Sequence, residues 1–241
     1  MDVNELRDAF NSTISLKEKV KQYKKALAES ILEDEMNELN EKLPTLCLIA
    51  LPSDCFEDDN KYTVKEIKKE IKNSEVSAFE RTYNAVLNID NVNLKYIESK
   101  KENLYAHSYI ARFKTNGIVE YISNNCFEPN FETTNRQPVI KLKLIRSRSL
   151  YAAVEKCIND LFKYYSKIDS NNSIIITGII VNAQGYTIPT KDWLDVLNII
   201  DRRILFLPDI EIEKLELLNI DNVKPLLDSI WNSCGYEEYK E

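Results

Sequence analysis

At 241 residues the chain is long enough to bury one sizeable core, and its net charge of −7 favours solubility. Apolar residues make up 44% and charged residues 29%, which excludes a disordered polyelectrolyte. The acidic balance argues against a protein that coats nucleic acid, and runs such as Ile174–Val181 are far too short to span a bilayer.

The opening Met1-Asp2-Val3-Asn4-Glu5 is acidic and lacks an apolar signal core, so no secretory peptide is expected. A short helix is predicted over 4–10, then a polar Asn11-Ser12-Thr13 turn. Ser15-Leu16-Lys17-Glu18 has the form of a capping box opening a long helix over 15–39. Leu16, Val20, Tyr23, Leu27 and Ile31 make its apolar face, and Pro44 lies beyond its end. Thr45–Leu51 reads as a buried strand between two prolines. Thr63 caps a small helix carrying Val64, Ile67 and Ile71.

Thr82–Leu87 and Asn93–Ile97 read as strands around Asp90-Asn91. Tyr105–Phe113 and Ile118–Ile122 flank Asn116-Gly117, the pair preferred in a type I′ hairpin turn. Val139–Ile145 alternates Lys141 and Lys143 with Leu142 and Leu144, as a half-exposed strand does. Leu150–Ile168 is an amphipathic helix, and Ile174–Val181 is apolar on both faces, as a central strand is. A helix is expected over Trp193–Ile200 and a short strand over Ile204–Leu207. A last helix over 222–234 opens at Pro225 and ends at Gly235.

The expected fold class is α/β or α+β, a mixed sheet with an N-G hairpin flanked by amphipathic helices. Residues 1–41 form an N-terminal helical segment packed as one unit with a mixed domain over 42–241.

Chemistry-bearing patterns are sparse. His107 is the sole histidine, so neither a histidine-based metal site nor a Ser-His-Asp set is expected. The four glycines serve a hairpin, a strand, a turn and a helix end, which leaves no phosphate cradle. Acidic clusters Glu33-Asp34-Glu35 and Glu57-Asp58-Asp59 lie in polar segments that suit solvent better than a metal. The five cysteines are scattered and odd in number, the usage of a reducing compartment, so a cytoplasmic protein is expected. No catalytic residue, metal or cofactor is expected. Lys17, Lys21, Lys24 and Lys25 are read as one basic side of the long helix, available to a phosphate backbone or an acidic partner. Lys141, Lys143, Arg146 and Arg148 form a second basic edge.

An ordered set of phrases carries a resemblance. It comprises the strand Leu46–Pro52, the hairpin Arg112-Phe113-Lys114-Thr115-Asn116-Gly117-Ile118-Val119-Glu120, the Gly185-Tyr186 turn and the ending Asp228-Ser229-Ile230-Trp231-Asn232-Ser233-Cys234-Gly235. From about Phe10 onward the chain resembles the region after the AlbA-like domain in bacterial Schlafen-type proteins. One departure is Ile49-Ala50, where such strands often carry a histidine.

The resemblance implies a non-enzymatic accessory or regulatory domain that works by protein–protein or intramolecular contact. Its partner would be an AlbA-like domain, upstream in a longer chain or encoded separately. The alternatives are a nucleic-acid-binding module using the basic helix and a metal-dependent nuclease subunit. A homo-oligomer is compatible with this reading, and a membrane partner is not expected.

Overall fold

The computed structural model describes residues 3–33, 43–57, 61–74, 91–92, 96–102, 108–132, 141–168, 172–189 and 198–238. In chain order the elements are α1 (Val3–Leu32), β1 (Thr45–Pro52), α2 (Val64–Asn73), β2 (Asn91–Val92), β3 (Tyr96–Glu102), β4 (Ser108–Lys114) and β5 (Val119–Ser123). There follow β6 (Phe127–Glu132), β7 (Lys141–Ile145), α3 (Ser147–Tyr165), β8 (Ile174–Val181) and β9 (Tyr186–Thr187). The chain closes with β10 (Ile204–Phe206), β11 (Ile210–Ile212), a short 3₁₀ turn and α4 (Lys224–Ser233).

The fold is α+β. Its main sheet runs β10-β8-β1-β5-β4-β3-β2 and is antiparallel throughout, with β11 pairing the other half of the β8 edge. A smaller sheet, β6-β7-β9, contains the one parallel pair among the described strands. β1 and β8 form the centre because they are apolar on both faces and pair over eight residues, from Thr45↔Val181 to Pro52↔Ile174.

Alternation along these strands divides the core into two layers. Leu46, Leu48, Phe113, Tyr121 and Ile176 face α2, α3 and α4, whose Ile67, Leu161, Tyr165, Ile230 and Trp231 complete one layer. Cys47, Ile49, Ile122, Ile175 and Ile179 face the other way, toward Val20, Leu27 and Ala28 of α1. One face of the sheet therefore carries three helices and the opposite face carries α1.

Gly178 is required by this pairing. A Cβ built there would lie 2.6 Å from the Cys47 carbonyl oxygen, inside the closest approach of real side chains. Thr63 and Glu66 cap α2 reciprocally, each side chain bonding the other's backbone N–H.

Several expectations need correction. α1 is continuous from Val3, so Ser15 lies inside the helix, where it opens no capping box, and Asn11-Ser12-Thr13 makes no turn. Helix–sheet packing from Leu16 onward overrides the weak helix propensity of those polar residues. The helix as described runs to Leu32, and the rest of the expected span, from residue 34 to Leu39, lies outside the described residues.

Between β4 and β5 the chain turns through three residues, Thr115-Asn116-Gly117. Lys114 N–H donates to the Ile118 carbonyl, and Gly117 N–H to the Lys114 carbonyl. Only Gly117 has positive φ, at 88°, so the turn is a type I turn with a left-handed third residue and not a type I′ pair. Residues 198–200 are irregular where a helix was expected to end. The rest of that helix, the strand over Thr82–Leu87 and His107 lie outside the described residues.

Candidate functional site

Two regions concentrate polar chemistry on apolar scaffolding. The first lies beneath α1. Val20, Lys24, Leu27 and Ala28 occupy successive turns of one helical face, so Lys24 points at the sheet and is 6% exposed. Its Nζ lies 2.5 Å from Asp209 Oδ1, 3.1 Å from the Leu207 carbonyl and 3.2 Å from Thr177 Oγ1. Thr177 donates to the same Asp209 oxygen at 2.6 Å. The reading that put Lys24 on the exposed basic side is thereby corrected: it is an internal cation whose three donors are occupied. Lys17, Lys21 and Lys25 are exposed as expected. Lys21 and Lys25 approach Glu18 and Glu29 of the same helix at 3.7 and 3.8 Å.

Across β1, where Ile49 stands opposite both Thr177 and Glu120, Glu120 of β5 is fully buried on the α1 face. Lys114 Nζ sits 2.7 Å from Glu120 Oε1, Arg112 lies 3.8 Å from Oε2, and the Tyr23 hydroxyl donates to Oε1. Lys114 also donates to the Tyr23 oxygen at 2.6 Å and sits 4.9 Å from its ring centre. Burial pushes the Tyr23 hydroxyl well above its ordinary range, and the Glu120 charge pushes it further, so it stays a donor. These contacts pin α1 to the sheet through Glu120 Oε1, while the buried Oε2 has the Arg112 charge nearby but no hydrogen-bond donor among the described residues.

The second region is an open groove between α4 and the connection from β10 to β11. Phe206, Leu207 and Pro208 form one side, and Pro225, Asp228, Ser229 and Asn232 the other. Helical periodicity splits the α4 motif between two jobs. Leu226, Leu227, Ile230 and Trp231 are buried against the sheet, while Asn232 is exposed and Asp228 and Ser229 are half-exposed. Gly235, with φ of 84°, terminates the helix in the left-handed region. Asp228 accepts from Lys224 at 2.7 Å, one turn earlier, and that hydrogen bond raises the Lys224 ammonium above its ordinary range. Phe206 is 46% exposed at the mouth of the groove.

The second basic edge is largely engaged. Lys141 pairs with Glu132 at 3.1 Å, Arg146 with Glu128 at 2.5 Å, and Lys143 lies 5.7 Å from the Tyr186 ring centre. Glu33 and Glu57 are exposed, and their acidic neighbours lie outside the described residues. Among the described residues no three His, Cys, Asp or Glu side chains converge as a metal site, and no helix is long and apolar enough to cross a membrane. All five cysteines are free and buried.

Sequence reasoning missed Asp209, Thr177 and the groove. The phase of Lys24 with Val20, Leu27 and Ile31 is the signal that locates it inside, and the phase of Glu120 with Ile118 and Ile122, alternating with Val119 and Tyr121, is its counterpart at β5. No family model, curated protein or solved structure matches the chain.

Proposed function

We propose that the chain is a non-enzymatic accessory or regulatory domain of a Schlafen-type protein, docking an AlbA-like domain in cis or in trans in the cytoplasm. The observation that carries this reading is the division of the Asp228–Gly235 phrase. Trp231 and its apolar neighbours are spent on the core, whereas Asp228, Ser229 and Asn232 edge an open groove beside exposed Phe206. Core packing accounts for the first set and gives no account of the second, and polar groups around an apolar anchor are what a docking surface needs. The free thiols support the reducing compartment.

The test is a pull-down with an AlbA-like domain from the same genome, supplied separately or fused upstream. The reading expects a stoichiometric complex that Asp228→Lys weakens. No association in either arrangement refutes it.

A second reading, nucleic-acid binding by α1, keeps the exposure of Lys17, Lys21 and Lys25 in its favour. It expects salt-sensitive binding that is lost when all three become glutamate.

A further inference from the structure

We infer that the groove receives its partner by strand addition: an extended segment alternating cationic and apolar residues pairs with the free edge of β10. This rests on the docking reading above and specifies how and by what the groove is filled.

The first support is the backbone. β10 ends the main sheet, and among the described residues no strand lies on its outer side. Leu205 stands opposite Ile180, and Leu207 N–H donates to the Gly178 carbonyl. In an antiparallel ladder, alternate residues point their N–H and C=O the same way. Leu205 and Leu207 therefore turn theirs toward β8, and Ile204 and Phe206 turn theirs outward, and Phe206 is itself one of the residues lining the groove. Such an edge is a template for another strand unless something covers it. Pro208 follows with no N–H to offer, so pairing is confined to residues 204–206.

The second support is the shape and polarity of the walls. Phe206, Pro208 and Pro225 supply apolar surface, and Asp228 and Asn232 supply oxygen acceptors on the α4 side. A strand lying here presents alternate side chains to the walls and to solvent, which suits alternating residue types.

The third support is charge. Acids outnumber bases nine to four between residues 201 and 238, a large share of the chain's net charge of −7. The net negative charge of this stretch, in which Arg202 and Arg203 are the exposed bases next to β10, favours a cationic segment over a second copy of the chain, which carries the same acidic excess.

The probe is a fluorescein-labelled heptapeptide alternating lysine and valine, titrated by anisotropy. Controls are the glutamate–valine analogue and a version with proline at its centre. Saturable binding is expected for the lysine–valine peptide alone. Phe206→Pro removes an N–H that the sheet does not use and should weaken binding about tenfold or more. Asn232→Lys adds a positive charge at an exposed site of α4, leaves the sheet untouched, and should weaken binding comparably. Equal binding of the proline-interrupted peptide, no effect of either variant, or no binding at millimolar peptide overturns the inference. Concentration-dependent dimerisation abolished by Phe206→Pro also overturns it, in favour of a second copy at this edge. If the AlbA-like domain fails to bind while the peptide is still captured, the family partner is wrong and strand addition stands.

Discussion

Lys24→Glu separates the two roles open to the α1 lysines. In the fold, Lys24 Nζ has three acceptors within 3.2 Å, and its side chain is 7% exposed. Breaking a fully buried pair costs about 3–5 kcal/mol. Asp209, however, is 35% exposed and keeps the Thr177 hydroxyl as a donor. Water can therefore reach the abandoned carboxylate, which puts the neutral Lys24→Met at about 1–2 kcal/mol. Glutamate adds a second carboxylate facing Asp209. At about 4 Å and an effective dielectric near 20 that repulsion is about 4 kcal/mol, part of which rearrangement relieves. The total for Lys24→Glu is then about 3–5 kcal/mol. For a chain of this size each kcal/mol moves Tm by about 2–4 °C. Calorimetry should thus find Lys24→Glu melting about 6–20 °C below wild type and Lys24→Met about 2–8 °C below. Lys25→Glu, at a site 72% exposed, should stay within about 2 °C. A Lys24→Glu protein as stable as Lys25→Glu, with nucleic-acid binding lost, would refute the assignment of Lys24 to the interior.

Four further outcomes follow from the packing and the titratable groups. Gly178→Ala forces a methyl against the Cys47 carbonyl and the Leu207 side chain, so the urea midpoint should fall by the equivalent of about 1–3 kcal/mol with an unchanged m-value. Trp231→Ala leaves a cavity where a 3% exposed indole stood, and should cost about 3–5 kcal/mol in the same assay. Thr63→Ala removes the side-chain half of the α2 cap and should cost about 1 kcal/mol in thermal unfolding. Burial pushes the Cys55 and Cys126 thiols up to about 12 from the ordinary 9.0, so they stay neutral in the fold when the unfolded chain ionises. Their contribution is complete below pH 9.0 and is lost as pH rises toward about 12. The double variant Cys55→Ala, Cys126→Ala should therefore flatten the alkaline fall in urea stability.

Much of the fold is legible where one residue type dominates a periodicity. Ile174–Val181 has no polar face beyond Thr177, so only a strand covered on both sides satisfies it, and the last helix is set by Pro225, Gly235 and the apolar stripe between them. Legibility fails where partners are remote. Lys24 and Asp209 are separated by 185 positions, and nothing local to either marks the other. Charge alone groups Lys17, Lys21, Lys24 and Lys25, whereas helical phase sends Lys24 inward and leaves the other three outward. The hairpin shows a subtler limit: Asn116-Gly117 marks the turn, but whether two residues or three close it depends on the strand register, which packing against both layers decides. The groove was illegible because its walls are brought together only when α4 docks beside the β10 edge.

The central claim is that this chain works by docking through the α4–β10 groove. Hydrogen exchange of the chain with and without a saturating AlbA-like domain tests it most directly, because the β10 edge and α1 are far apart in sequence and report separately. The account predicts new protection over residues 204–206, where outward amides gain partners, together with slowed exchange over 225–232. Protection confined to α1 around Lys17, Lys21 and Lys25, or no protection at saturation, would contradict it.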